Sequence, residues 1–377
     1  MLSPPVDDAQ RITSGRQFWR FALTVSVVGV AVQLALTAYY LGMGHAPKPH
    51  DLPVGVMATA AQLPKVTSTL EADGAFTVRT YPSVDAMTAA IRHRDIYGGV
   101  DLTAAEPHLY IATAAGPSAA AVLRGTYTTV MQQQTAQKLD QLAGQATEVP
   151  LTAVRALTAP PAVTDVVPLP ADDRNGSSIG FLVQALALGG TIASTGLGQL
   201  IPRARRQARR GLAHMTTLIV YALGSAAIVL WSMSWFGVGA GANHMALFWE
   251  FTLVSLAITA STAGAVSLIG PAGALAGLFY FTIGTVISGA SIPPEFLPAF
   301  GHHLGQALPT GAGVQAVRDS LYFPAVSLHR PLTTLALYAG LGCLVILVTN
   351  ALPNRSDRTS EFEITLQPHQ PVPPSTD

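Results

Sequence analysis

Few residues in this chain have the type and spacing to do chemistry, and most candidates sit in apolar surroundings. His302 and His303 are adjacent; neighbours in a short helix point to different faces, which is poor geometry for one metal ion, and no metal site is expected. Glu250 is the only charged residue between Gly211 and Pro294. An ionisable group at membrane depth is a proton or substrate site by default, although placement at an interface beside Trp249 is the preferred reading. Arg318 and Asp319 can form a local ion pair, with a structural role preferred over substrate contact. The glycines of GGTIASTGLG (189–198) have suggestive spacing for phosphate binding, yet no Lys-Ser/Thr follows, and Lys48, Lys65 and Lys138 lie elsewhere. The metalloprotease pattern HExxH is absent. The expectation is a protein that is not an enzyme and carries no cofactor.

The elements that must position these residues are apolar. Charged residues make up 11% of the chain and apolar ones 49%, with mean hydropathy +0.38, whereas soluble domains carry about 25% charge. The net charge is +0, so nothing in the charge balance favours a nucleic-acid partner. The charges also cluster, leaving Phe21–Pro47, Asn175–Pro202, Gly211–Trp249, Phe251–Pro294 and Pro331–Asn354 free of Asp, Glu, Lys and Arg. A helix needs roughly 20 apolar residues to cross the hydrocarbon core, and each gap can hold at least one. The single cysteine, Cys343, lies in such a stretch and reads as a small core residue.

The expected fold is an α-helical integral membrane protein with six transmembrane helices and an α/β extracytoplasmic domain between the first and second spans. Residues 1–20 form a cytoplasmic segment with a short amphipathic helix, and 21–42 the first span, too long for a signal peptide. Residues 46–174 change pattern. LPVGVMAT, FTVRTYP, YGGVDLT and HLYIATA read as strands, QLPKVTSTLEADG as a helix ending at Gly74, and Ser83 caps another with an apolar stripe at Ala86, Met87, Ala90 and Ile91. A long helix runs from Pro117 to about Leu142, and a proline-rich extended segment returns to the membrane. Five further spans, at 177–200, 212–236, 247–269, 272–291 and 332–352, make up the 177–352 membrane domain, with a tight turn at Gly270-Pro271. Gly273 and Gly277 are helix-packing positions, and the tail 353–377 is expected to be disordered.

Arginine fixes the orientation. IPRARRQARR places Arg203, Arg205, Arg206, Arg209 and Arg210 in one short loop. With Arg11, Arg16, Arg20, Arg355 and Arg358 these gather on a single side of a six-span arrangement, which short-loop charge bias makes cytoplasmic. The loop is then a topology determinant, with binding to membrane lipid headgroups a second reading. The 46–174 domain and the 292–323 segment face the other side.

The segment SIPPEFLPAFGHHLGQALPTGAGVQAVRDSLYF resembles the last external loop of the type-2 ABC exporter permease family. In that family a proline-rich turn and two short helices dip into the outer leaflet. Pro293 and Pro294 match the turn, and Leu308, Pro309, Ala316, Val317, Arg318, Asp319 and Tyr322 match the pattern that follows. One span, a large external domain and five more spans resemble the branch that includes bacterial relatives of the phage-infection protein. The resemblance implies a permease subunit in the bacterial plasma (inner) membrane, with both termini cytoplasmic. It would work as a homodimer, or a heterodimer with a paralogous permease, exporting a lipidic, amphipathic or peptide substrate. A separate ABC ATPase subunit would hydrolyse ATP, docking on the arginine loop at 201–211. The other reading is a non-transporting scaffold, or a receptor or secretion accessory of the phage-infection-protein type.

Overall fold

The computed structural model describes residues 15–45, 47–104, 106–145, 161–200 and 208–351. The segment before Gly15 with Arg11, the expected return at 146–160, Arg203, Arg205 and Arg206, and the tail 353–377 lie outside the described residues. The chain divides into two units, Met1–Pro47 and Lys48–Asp377. Among its described residues the first holds one helix, α1 (Gly15–Gly44), whose Ala22–Gly44 portion has mean hydropathy 1.8 and is nowhere buried.

The second unit begins with a mixed sheet. Strands β1 (Leu52–Met57), β2 (Phe76–Thr80), β3 (Gly98–Asp101), β4 (His108–Ile111) and β5 (Ala162–Asp165) lie in the order β2-β1-β3-β4-β5. β1 pairs parallel with β2 and β3, β3 pairs antiparallel with β4, and β4 pairs parallel with β5. Helices α2 (Leu63–Glu71) and α3 (Val84–Arg92) make the two parallel crossovers, and α4 (Pro117–Gln145) leaves β4. The expected strand and helix order is therefore present, with β5 added where the sequence suggested only extended chain. Ser83 caps α3 as its pattern implies, accepting a hydrogen bond from the Ala86 amide at 3.2 Å. Cβ positions built on Gly55 and Gly99 meet Met87 of α3, and one on Gly98 meets Leu123 of α4, so these helices cover opposite faces.

The remaining elements are helical: α5 (Ser178–Leu200), α6 (Ala208–Trp235), α7 (His244–Ile269), α8 (Ala274–Phe279), α9 (Ala299–Ala307), α10 (Pro309–Tyr322) and α11 (His329–Ala351). α7 is central, packed against α5, α6, α10 and α11. Its crossing with α11 is close because both partners lack side chains there. A Cβ on Gly264 would lie 3.0 Å from the Gly342 carbonyl oxygen, and one on Gly342 2.3 Å from the Ala260 carbonyl carbon. Leu188, Ile192, Val220, Ile228, Leu337 and Leu341 point outward, exposed, as residues facing lipid do. Trp231, Trp235 and Trp249 are exposed around the α6–α7 turn, where an aromatic belt would sit.

Among the described residues, five apolar helical stretches are long enough to cross a membrane: Ala22–Gly44, Ser178–Leu197, Gly211–Trp235, His244–Gly284 and His329–Ala351. The separate span expected at 272–291 is not formed as a full helix. After a 3-10 turn at Gly270–Gly273, α8 and a π-helical turn at Tyr280–Gly284 cover about 16 Å at 1.5 Å per residue. That is half of the roughly 30 Å hydrocarbon core. Beyond Gly284 the chain turns irregularly, with Gly289 at φ 87°.

Candidate functional site

The irregular turn after α8 ends the apolar part of the bundle, and its free carbonyls explain the first polar feature. Arg318 of α10 is 3% exposed; its two terminal nitrogens donate to the carbonyls of Gly289 and Ala290, each at 2.9 Å. Backbone that leaves helical geometry in an apolar setting needs such partners. Burial, helped by the nearby Arg94 charge and opposed by the Tyr97 and Asp319 groups, lowers the Arg318 pKa from its ordinary value to about 10. α9 and α10 fit under this turn through glycine. A Cβ on Gly305 would lie 1.9 Å from the Ile287 carbonyl oxygen, and one on Gly311 2.0 Å from that of Gly305.

Arg318 and Asp319 are not a pair, which corrects the local ion pair suggested by their adjacency. Neighbours on a helix diverge by about 100°, and Asp319 points instead to the sheet, where it forms an ion pair with Arg94. Arg94 follows α3 with φ 59°, a left-handed conformation uncommon for a side-chain-bearing residue. Its guanidinium also donates to Gln315 Oε1 at 2.7 Å and lies 5.5 Å from the centroid of the Phe323 ring. Gln315 passes the chain of bonds to Gln306 at 2.7 Å. Burial pushes the Asp319 carboxyl above its ordinary range, opposed by the Arg94 and Arg318 charges.

A second tie runs alongside. The Tyr97 hydroxyl donates to Glu295 Oε2 at 2.6 Å, and the His50 amide donates to the Glu295 carbonyl at 2.8 Å. Burial and the Glu295 carboxylate raise the Tyr97 pKa. Phe296 and Phe323 complete the sheet's hydrophobic core, with Tyr322 half-buried against it. The 292–323 segment is thus bound to the sheet on one side and to the bundle on the other.

The remaining predicted residues fall as follows. Pro293 precedes a 3-10 turn at Pro294–Phe296 and packs on Gly116, and Pro294 lies against Gly289. Leu308 is the extended link between α9 and α10, and Pro309 opens α10, where a missing amide costs nothing. Gly273 packs on the backbone of Ala265 and Val266, whereas Gly277 packs on Thr191 of α5, so the two glycines serve different neighbours. Arg209 and Arg210 belong to the first turn of α6, with Arg209 exposed. His302 and His303 have ring centroids 5.2 Å apart, and among the described residues no cluster of metal-ligating side chains occurs. Cys343 is half-buried against the α6–α7–α11 core.

Glu250 corrects an expectation. It is 4% exposed, while Trp249 is 58% exposed, so the carboxylate faces the bundle and not the interface. Ser320 of α10 donates to its Oε1 at 2.5 Å, and its buried Oε2 has no hydrogen-bond partner among the described residues. Ser255, Thr262 and Thr310 likewise bury hydroxyls without partners among those residues.

Sequence reasoning missed Arg94, Gln315, Glu295 and Tyr97, whose partners are far along the chain. The signal available for Arg94 was its place just past the apolar stripe of α3. It also passed over a G-x-S-x-G spacing at Gly176–Gly180. Ser178 there opens α5 after a 3-10 turn, not a strand, so the nucleophile-elbow geometry is absent. The arrangement at α10 is mechanical: it places buried charges where two bodies join. No protein-family model matches the chain, and no curated protein or solved structure matches it either.

Proposed function

We propose that the chain is the membrane permease subunit of an ATP-driven ABC-type exporter, moving a lipidic, amphipathic or peptide substrate out of the cytoplasm. The observation that carries this reading is the anchoring of the 292–323 segment. Arg318 holds the turn that ends the α8 arm, and Asp319 holds the sheet through Arg94. An element tied to both bodies by adjacent residues moves with both, as an external gate over an exit path must. In this reading 46–174 lies outside the cell, α8 and the irregular chain after it together carry the chain back across the membrane, and two permease subunits enclose the path. The arginines at 203–210 face the cytoplasm and receive a separate ATPase.

The test is purification from mild detergent with associated chains, followed by transport assays in vesicles with ATP. A co-purifying ATPase, ATP-dependent transport, and loss of both on charge reversal of Arg205, Arg206 and Arg209 are expected. Intact transport after that reversal would overturn the coupling role. Absence of both ATPase and transport in folded protein would return the chain to the scaffold or receptor reading. Protease accessibility of 46–174 from the cytoplasmic side would overturn the orientation.

A further inference from the structure

Helix α2 is unlike its counterpart α3. It carries Leu63, Val66 and Leu70, yet none of its residues is buried, whereas α3 buries Met87, Ala90 and Ile91. The reason is a cavity of about 510 Å³ between α2, α4 and the sheet face beneath them, within the roughly 300–1,000 Å³ of small-molecule sites. Its floor is Val54, Val56, Val100 and Leu109, and Val66, Leu70, Val130 and Met131 form its walls. Water gains few partners over such a floor, and apolar cavities of this kind accept apolar ligands instead.

The rim has a different chemistry. Among the described residues, Lys65 is the one charged residue lining the cavity, and no carboxylate lines it. Lys65 stands on the exposed side of α2 with no ion-pair partner among the described residues. Gln133, Gln134 and Gln137 of α4 supply amides along the opposite edge. The Tyr127 hydroxyl donates to the Pro107 carbonyl, so it is already engaged. An apolar slot with a single cation and neutral amides at its mouth complements one class of molecule. We propose that this cavity binds a single-chain amphiphile, its hydrocarbon against the sheet and its anionic head at Lys65. Occupied, the slot gives Val66 and Leu70 the apolar contacts that α3 obtains from Met87. The proposal does not depend on export, because the cavity lies wholly within the sheet, α2 and α4.

The experiment uses the full chain in phosphatidylcholine nanodiscs, with radiolabelled dodecanoate as probe and empty nanodiscs as background. Saturable binding of one dodecanoate per chain is expected, with a diazirine-bearing analogue crosslinking to α2 or α4. Val66→Trp fills the slot and should abolish the saturable component. Lys65→Glu, at an exposed position that leaves folding intact, should weaken dodecanoate about fivefold, the ceiling for one exposed charge pair, and strengthen dodecylammonium. Binding no greater than that of empty nanodiscs would overturn the proposal. So would saturable binding that both substitutions leave unchanged, or a change in oligomeric mass in Val66→Trp without dodecanoate binding, which would make the face a contact between copies.

Discussion

The junction around α10 and the α7–α11 crossing are both buried, yet they are held by opposite means. At the crossing, glycines remove side chains so that backbones touch, and Gly264 faces Gly342 with nothing between. At the junction, charged side chains reach across: Arg94 to Asp319, and Arg318 to two carbonyls. Backbone contact is insensitive to protonation and intolerant of added volume. Ionic contact tolerates volume better but depends on every partner being present. The bundle is therefore built to stay packed, and the junction is the place where a change of charge can act.

The sharpest way to break this contrast is to add volume at the crossing. Gly342→Leu puts atoms where a Cβ alone would lie 2.3 Å from the Ala260 carbonyl carbon, so backbone must move. The expected outcome is loss of monodisperse protein in gel filtration. Gly340→Leu, two residues away with nothing within 4 Å of its built Cβ, should purify like the parent. Equal behaviour of the two variants would show that the crossing is not close-packed in solution.

At the junction the largest effect should come from Asp319→Ala. Arg94 would keep a buried charge without its carboxylate; such orphaned charges cost about 3–5 kcal/mol. The checking measurement is thermal unfolding in lipid discs, and rescue by the double variant Arg94→Met/Asp319→Ala would identify the orphaned charge as the cause. Arg318→Lys keeps the charge but loses the two-pronged donor, leaving one of the Gly289 and Ala290 carbonyls unpaired at a cost of about 1–3 kcal/mol. Tyr97→Phe removes only the bond to Glu295 and should cost about 1 kcal/mol.

These differences also explain what could be read from the sequence. Strands β1–β4 and helices α2–α4 were legible because alternation, Ser83 and the glycine at 74 are local signals, whereas β5 read only as extended chain. The long apolar helices were legible from charge-free length. The broken segment at 272–291 was not, because its hydropathy matches that of a full span. The irregular chain beyond Gly284 is held by a pair of carbonyls satisfied by Arg318, 28 and 29 residues further on. Likewise Arg94 and Asp319, 225 residues apart, carry no sequence pattern that links them, and adjacency wrongly suggested Arg318 as the partner. Glu250 beside Trp249 looked interfacial because a one-residue step along a helix changes the face, and only α10 decides which face is buried.

The smallest predicted effect sharpens the contrast between a junction that responds to charge and a crossing that does not. Burial raises the Asp319 pKa above its ordinary value despite Arg94, so the folded chain holds this proton at pH values where the unfolded chain has released it. Stability then falls as pH rises from the ordinary carboxylate pKa through the raised one, and levels off above it. The sign follows because the native state binds more protons across that window. Asp319→Asn cannot ionise, so its unfolding free energy should lack this contribution to the slope, whatever its absolute value. Gly342, by contrast, offers no titratable group, and a Gly342→Ala variant that still folds should keep the parent's pH slope. Parallel pH profiles for Asp319→Asn and the parent would mean that Asp319 carries no raised pKa. The junction would then be as indifferent to protonation as the α7–α11 crossing.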